Sequence, residues 1–441
     1  MSRFSTDLLR VIAVTYVVLN HATWNAFVEL GTASEGAAAW CFAVLNQLGK
    51  PSVLLFLFLS GFAFGVHPAW GRNDGDRFGF SMRFYRNRAL RILPPYILMS
   101  LIGFTILTIQ SVVTAPESAA MFAGPDADWF AAAGILAFDF AAGLFDGRHM
   151  FHLYFVALLC YLYLLFPWIA ARPAALPRPS RLAFSMALAC LPIFAFYLLA
   201  DPHNRHIQSL IPYATELAPL VQARLSGPTT TWLGLAAYAL PFFIGGVRAG
   251  QWTALGRAQA QLNSDSAQLS SAKHPVQRRA ALVALCVAAV TAFALVFGDF
   301  LFHVFQTGQY PDSAGRIWRP IVVVYAVLAV ALMWTLTSQD FARDASHETA
   351  AGGATLRRLA RLSFLVYLSH PLLQFAFSAL PFAFRVPLIL GLAWPLALGL
   401  SALAGRYRLA GFLLGEGDRE FARPPAKPEA PVAEPVLAPA R

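Results

Sequence analysis

The stretch DLLRVIAVTYVVLNHA, residues 7–22, places Arg10 and His21 eleven residues apart in a run whose only polar members between them are Thr15 and Asn20. Eleven residues make three helical turns with about 20° left over, so both side chains lie on one face, about 16 Å apart along the axis. Ionisable groups inside a membrane-spanning helix are costly and mark functional sites. The stretch therefore predicts a membrane helix that carries part of a site, although Arg10 alone is also typical of a positive anchor at the membrane surface.

The composition excludes an ordinary soluble protein. Of the 441 residues, 58% are hydrophobic and only 13% are charged, whereas soluble domains carry about 25% charged residues. The net charge of +10 comes from arginines that gather in short loops, which indicates membrane topology rather than nucleic-acid binding. We expect no metal site and no bound cofactor, since none of the cysteines has a spacing typical of a metal site or of a disulfide framework. They are Cys41, Cys160, Cys190 and Cys286.

Ten hydrophobic stretches are long enough to cross a bilayer, so we predict an all-α, polytopic integral membrane helix bundle of about ten transmembrane helices in an inner (plasma) membrane. The first is an uncleaved span, because no small-residue cleavage site precedes His21. The transmembrane domain covers residues 1–410, and the Pro- and Ala-rich residues 411–441 are typical of a disordered cytoplasmic tail. The predicted spans are about 8–28, 51–68, 92–113, 152–171, 182–200, 229–249, 281–303, 319–338, 361–382 and 384–405.

Arginine-rich loops indicate the side of the membrane that each span faces, because positive residues concentrate in cytoplasmic loops. Ten spans place all the basic loops and both termini in the cytoplasm. Residues 129–145 are apolar as well, but they hold Asp139, and an extra crossing there would move the 172–181 loop outside. We therefore predict a re-entrant or interfacial helix over residues 129–145. The basic clusters lie at residues 72–91, 172–181, 273–279, 357–361 and 406–408.

The stretch RFYRNRALRILPPYIL, residues 83–98, places Arg88 and Arg91 three residues apart at the mouth of the third span, with Arg86 just before them. Two interpretations stay open. The arginines are either a positive-inside signal alone or a guanidinium fork for an anionic ligand such as a nucleotide phosphate.

Histidines occur in two more spans. His149 and His152 lie three residues apart in GRHMFHLYF, residues 147–155. This spacing allows a metal half-site, but no carboxylate or cysteine stands nearby, so an interfacial aromatic belt or the lining of an acceptor site is the better interpretation. Tyr367 and His370 share the ninth span, and a second intramembrane histidine favours a polar cavity.

Five soft motifs, in the same order along the chain, resemble the membrane-bound acyltransferase 3 family, whose members O-acylate sugars and other hydroxyl or amine acceptors. The first element is similar to LDGLRxIAxxxVxxxHA, with Leu8 in place of the glycine. The others are similar to FFxxSGF, to RxxRIxPxY, to a histidine and aromatic followed by FLxxLLxxYLLFP, and to YLxHxP. The matching residues are Asp7, Leu9, Arg10, Ile12, Ala13, Val17, His21 and Ala22; Phe56, Phe58, Ser60, Gly61 and Phe62; Arg88, Arg91, Ile92, Pro94 and Tyr96; His152, Tyr154, Phe155, Leu158, Tyr163, Phe166 and Pro167; and Tyr367, Leu368, His370 and Pro371.

The resemblance implies an acyltransferase that moves a short acyl group, acetyl being expected, from acyl-CoA to a hydroxyl of a glycan or glycoside. His21 would be the catalytic base and Arg10 would be needed with it, while Arg88, Arg91 and Arg86 would hold the donor. Direct transfer and an acyl-histidine intermediate both stay open. The residues expected to line the acceptor site or a cavity are Asp7, Ser60, His149, His152, Tyr367 and His370.

Two functions other than catalysis stay open. In a proton-coupled transporter or flippase, His21 and His370 would relay protons, but the inverted repeats typical of transporters are not visible between the two halves. In a scaffold that has lost catalysis, His21 and the Arg88–Arg91 pair would have no reason to be kept together. Ser60-Gly61 is expected mainly to allow close helix approach.

Overall fold

The computed structural model of the chain describes residues 3–30, 37–67, 77–114, 129–170, 239–255, 275–307, 320–338 and 351–416. The protein is all-helical, with 91% helix and no strand in this part of the chain, as the hydrophobic pattern predicts. The predicted span 182–200, the first part of the span 229–249 and residues 417–441 of the tail lie outside the described residues.

Within the described ranges, five segments are long and apolar enough to cross a membrane, and two shorter helices are also apolar. This pattern is that of a multi-pass membrane protein, while the number of ten spans stays a prediction. The helices are α1 (Arg3–Leu30), α2 (Ala37–Leu48), α3 (Ser52–Gly65), α4 (Arg77–Thr114), α5 (Trp129–Asp146), α6 (Tyr154–Ala170), α7 (239–255), α8 (Pro275–Thr307), α9 (Pro320–Ser338), α10 (Ala351–Ala376), α11 (Phe382–Arg406) and α12 (Arg408–Leu413).

The second span begins earlier than predicted. We expected it over residues 51–68, but α2 and α3 belong to one apolar segment, Trp40–Gly65. The segment breaks at Gly49-Lys50-Pro51, where proline lacks the N–H that a continuous helix needs. Lys50 at this break is only 1% exposed, and its charge weakens the apolar pattern that would have revealed α2.

Helix α1 is the central helix of the described bundle. It packs against α2, α3, α10 and α11. Its apolar side chains Val14, Val17 and Val18 are buried in a core that also contains Leu54 and Leu57 of α3. The helix that carries Arg10 and His21 is therefore held on several sides, which fixes the positions of both side chains.

Glycines bring α3 and α7 into backbone contact. Gly61 and Gly65 of α3 face Gly246 and Gly250 of α7, and a Cβ atom added to Gly61 would lie 2.1 Å from the backbone oxygen of Phe243. Such spacing of glycines at every fourth residue lets two membrane helices approach closely. The close approach predicted for Gly61 is confirmed.

Helices α5 and α6 run one after the other along α4. The hydroxyl group of Tyr85 in α4 donates to the backbone oxygen of Leu164 in α6 at 2.8 Å. The hydroxyl group of Tyr96, further along α4, donates to the backbone oxygen of Leu144 at the end of α5 at 2.7 Å. Earlier in α5, Phe140 contacts Phe104, and Met150, just before α6, lies against Gly103. Contact positions therefore fall along α4 as the chain advances through α5 and again from the turn into α6, so both helices are antiparallel to α4 and make one interrupted passage beside it.

Helix α5 is the segment for which we predicted a re-entrant or interfacial helix. By length and composition α5 is itself a candidate span, although only 11% of its apolar window is buried. Asp139, which argued against a crossing, pairs with Arg148 at 2.8 Å. The pairing accounts for a carboxylate on an otherwise apolar helix, because a paired charge is less costly than an isolated one.

The last described residues fold back onto α4. Helix α12 packs against α4, and Gly415 has a positive φ of 69°. A Cβ atom on Gly415 would lie 2.3 Å from the backbone oxygen of Arg91, so glycine is required there for both reasons. Residues 411–416, which we assigned to the tail, lie in α12 and in the turn that follows it.

Candidate active site

Three arginines meet at one end of the bundle, and we call Arg10, Arg88 and Arg91 the arginine cluster. The charge of Arg91 acts on both Arg10 and Arg88, and the charge of Arg10 acts on Arg88 as well. Asp7 pairs with Arg10, its Oδ1 atom lying 3.6 Å from Nη1. Three guanidinium groups beside this carboxylate leave an excess of positive charge, which suits an anionic ligand.

The side chain of Arg88 is held between aromatic rings. Its guanidinium carbon lies 4.7 Å from the ring centroid of Phe64 and 5.7 Å from that of Phe84, at distances typical of cation–π contacts. Its buried Nε atom has no hydrogen-bond partner among the described residues. The guanidinium group is therefore oriented by the two rings.

Two of the predicted acceptor-lining residues lie at this end instead. Asp7 is paired with Arg10, and the side chain of Ser60 lies near that of Tyr163, a residue close to Arg10 and Arg88. The motif that contains Tyr163 was recognised in the sequence, but its place beside the arginines was not foreseen.

Arg86, the third predicted donor-binding residue, is exposed, and no described interaction joins it to the arginine cluster. Residues two apart on a helix point in directions about 200° apart. Arg86 and Arg88 therefore point to nearly opposite sides of α4.

Three histidines meet further along α1, and we call His21, His152 and His370 the histidine cluster. Nδ1 of His21 lies 2.8 Å from Nε2 of His370, and the ring centroids of His152 and His370 lie 5.2 Å apart. His152 and His370 have no exposed surface, whereas His21 is partly exposed. His21 is therefore the member of the cluster that a substrate is best placed to reach.

Contacts from α10 hold this cluster together. Nδ1 of His370 donates to the backbone oxygen of Tyr367 at 2.6 Å, because a carbonyl oxygen only accepts. The Tyr367 hydroxyl donates to the backbone oxygen of His152. The predicted polar cavity residues Tyr367, His370 and His152 are thus brought together around His21.

His149 lies apart from the histidine cluster. Its Nε2 atom donates to the backbone oxygen of Phe140 at 2.9 Å, and its ring stacks on that of Phe140 at 5.1 Å. Gly143 leaves the space that this ring occupies, since an added Cβ would lie 2.1 Å from it. His149 therefore ties the 147–153 turn to α5.

Lys50 is a residue of this region that we missed. Its Nζ atom lies 5.2 Å from the ring centroid of Trp24, and its charge acts on the His21 ring. A lysine between Gly49 and Pro51 in an apolar stretch was the available signal, since a buried charge in a membrane segment is costly.

Helix α1 connects the two clusters, with Arg10 and His21 about 16 Å apart along its axis. The described residues contain no group of three or more His, Cys, Asp or Glu side chains able to hold a metal ion. The geometry therefore combines an arginine-rich end with an imidazole end on a shared helix.

Comparison with known proteins agrees with the family resemblance found in the sequence. A family model described as an acyltransferase domain matches residues 3–406, a range that includes both clusters. No curated protein and no solved structure matches the chain. The match covers nearly the whole sequence, and the chain is therefore a member of the acyltransferase 3 family and a membrane acyltransferase.

Proposed function

We propose that the protein transfers a short acyl group, which we expect to be acetyl, from acyl-CoA to a hydroxyl group of a glycan or glycoside. The observation that carries this proposal is that α1 contributes one residue to each cluster, Arg10 at one end and His21 at the other. An arginine cluster at one end suits the phosphates of a nucleotide-containing donor, and a reachable imidazole at the other end suits general-base catalysis.

The donor would bind at the arginine cluster as a co-substrate rather than as a bound cofactor. Arg88 and Arg91 provide planar donor groups for phosphate oxygens, and Arg10 adds charge from the central helix. With the phosphates there, the pantetheine arm would extend along α1 toward His21. The separation of about 16 Å along the helix is comparable to the length of that arm.

His21 would act as the base. The acceptor hydroxyl gives its proton to the imidazole while its oxygen attacks the thioester carbonyl carbon. A carbon–oxygen bond forms, the carbon–sulfur bond breaks, and the departing CoA thiolate takes the proton from His21. Proton transfer by a positioned side chain contributes about 10²–10⁴-fold to such reactions.

The acceptor would approach beside the 147–153 turn. Phe151 of this turn is 48% exposed, and its ring meets the His21 ring edge-on at 4.9 Å. The backbone of Leu368 lies close to the His152 ring, yet neither ring nitrogen has a partner of hydrogen-bond geometry among the described residues. His21, the partly exposed member of the histidine cluster, is the ring that an acceptor hydroxyl would meet there.

The proposed topology has both termini and the arginine cluster in the cytoplasm, where CoA is found. Because α5 and α6 make one interrupted passage along α4, the basic loop at 172–181 would return to the side on which α4 begins. The histidine cluster would then face a glycan on the outer side of the plasma membrane. A proton-coupled transporter is the less favoured function, since the chain belongs to an acyltransferase family.

Radiolabelled acetyl-CoA tests this function directly. Membranes that contain the protein are incubated with the label, and the glycan and glycolipid fractions are counted beside membranes that contain the His21→Ala variant. We expect label in a glycan fraction only with the unchanged protein. Equal labelling with both proteins, or no labelling of any fraction, would contradict the proposal.

A further inference from the structure

We propose that His370 is a positioning residue that selects the tautomer of His21, so that Nε2 of His21 is the basic nitrogen. This inference rests on the proposed function of His21 and assigns the nitrogen that removes the proton. It starts from a feature of α10, the proline that follows His370.

Pro371 lies inside α10 and has no N–H group. In a regular helix the N–H of residue 371 would donate to the backbone oxygen of Tyr367, four residues earlier. Proline leaves that oxygen available, and Nδ1 of His370 lies 2.6 Å from it. The proton of His370 is therefore on Nδ1.

The protonation state of the second nitrogen of His370 then follows from valence. A neutral imidazole carries one proton, and burying a charged ring without exposed surface is costly, so Nε2 of His370 has a free lone pair. That atom lies 2.8 Å from Nδ1 of His21. Nδ1 of His21 must donate in this contact, which leaves Nε2 of His21 unprotonated.

The surroundings hold the His370 ring in this orientation. The His21 ring lies edge to edge with it and nearly coplanar, with 14° between the ring planes, and the His152 ring lies at 71° to it. The Tyr367 hydroxyl also binds the backbone of His152, which joins the 147–153 turn to α10. A base whose orientation is set before the substrate arrives does not have to be ordered during the reaction.

The proton balance is simple. When the acceptor proton reaches Nε2 of His21, the ring becomes an imidazolium whose Nδ1–H still donates to His370. The bond to His370 strengthens because the donor is now charged. Nε2 later gives its proton to the CoA thiolate, and both histidines return to their starting forms.

Two near-isosteric variants distinguish a role of His370 in setting the His21 tautomer from a role in packing alone. In His370→Gln the amide oxygen can occupy the position of Nε2 and still accept from His21. In His370→Asn the amide can reach Tyr367 but places no acceptor beside His21. We expect kcat/KM for acetyl transfer to fall at least about tenfold more in the Asn variant than in the Gln variant. This difference is smaller than the contribution of about 10²–10⁴-fold from a general base, because His370 acts only through His21.

Ser369→Ala serves as the matched control, since Ser369 is a fully buried neighbour on α10 outside the site. We expect it to keep the activity and amount of the unchanged protein. Equal losses in the Gln and Asn variants would overturn the proposal, because a residue needed only for packing would not distinguish them.

Nitrogen-15 NMR of histidine-labelled protein in lipid bilayers reads the tautomer without any substrate. The signals of His21 are assigned by their loss in His21→Asn. We expect a protonated Nδ1 and an unprotonated Nε2 in the unchanged protein, and a mixture of tautomers in His370→Asn. A protonated Nε2 in the unchanged protein would overturn the inference. The expected tautomer without any acyl transfer would support the inference and contradict only the proposed function.

Discussion

The guanidinium group of Arg88 lies over the ring of Phe64, with 4.7 Å between the guanidinium carbon and the ring centroid. Phe64 in turn meets Phe84 edge-on at 5.2 Å, so α3 and α4 both hold the arginine. Contacts of this kind contribute about 0.5–2 kcal/mol. They fix the position of a charged group that would otherwise be mobile, and they give the arginine cluster a defined shape.

Replacing Arg88 and Arg91 together by alanine should weaken CoA binding at least about tenfold, since charge-assisted hydrogen bonds contribute about 1.5–3 kcal/mol each. Equilibrium binding of CoA to purified protein in lipid nanodiscs measures this. Arg88→Lys should restore only part of the affinity, because an ammonium group cannot form the planar fork.

Arg358→Ala is the control for this prediction, since Arg358 is an exposed arginine at the beginning of α10. It should leave CoA binding unchanged. If the double variant inserted into the membrane in the wrong orientation and still bound CoA, the arginines would be a topology signal alone.

His21→Ala should reduce acetyl transfer by about 10²–10⁴-fold while leaving CoA binding intact, because the arginine cluster lies about 16 Å away along α1. Transfer and binding are measured on the same preparation. The amount of protein in the membrane should be normal. Activity above a tenth of that of the unchanged protein would show that another group is the base.

Gly61→Ala should destabilise the protein, because the new Cβ atom would lie 2.1 Å from the backbone oxygen of Phe243. Small-to-large changes in packed sites cost about 1–3 kcal/mol. Thermal unfolding in detergent measures the effect. Gly134→Ala is the matched control, since nothing lies within 4 Å of its added Cβ; equal stability of the two variants would refute the backbone contact.

Single cysteines test the proposed topology. In a variant without the native cysteines, a cysteine at position 178 should resist an impermeant thiol reagent added outside intact cells, whereas one at position 117 should react. The expectation follows from the basic loops and from the single passage of α5 and α6. Labelling at position 178 would place that loop outside and change the side assigned to the acceptor.

The relation between Arg10 and His21 could be predicted because it depends on a single helix. Helical periodicity alone relates the directions of two residues eleven apart, and the apolar run between them required a helix in a membrane. For the same reason the glycine in Ser60-Gly61 predicted close packing, although the sequence did not show that its partner is α7.

Other features were misplaced because the local pattern was ambiguous. The second span was expected at residues 51–68, since Lys50 and its polar neighbours interrupt the hydrophobic signal of Trp40–Gly65. Asp7 and Ser60 were expected to line the acceptor site or a cavity because they match the family motifs, which do not specify an end of the bundle. Which end of the bundle a side chain faces depends on the packing of its helix. In the structure Asp7 pairs with Arg10 and Ser60 lies near Tyr163, so both side chains lie at the arginine end.

The pairing of His21 with His370 joins residues 349 positions apart. No periodicity relates α1 to α10, because the contact depends on how the intervening helices pack and return the chain. The sequence supplied the chemical groups and, through Pro371, the available carbonyl of Tyr367. Folding alone brings the two imidazoles within hydrogen-bonding distance, since directional bonds between distant segments form only when the bundle closes.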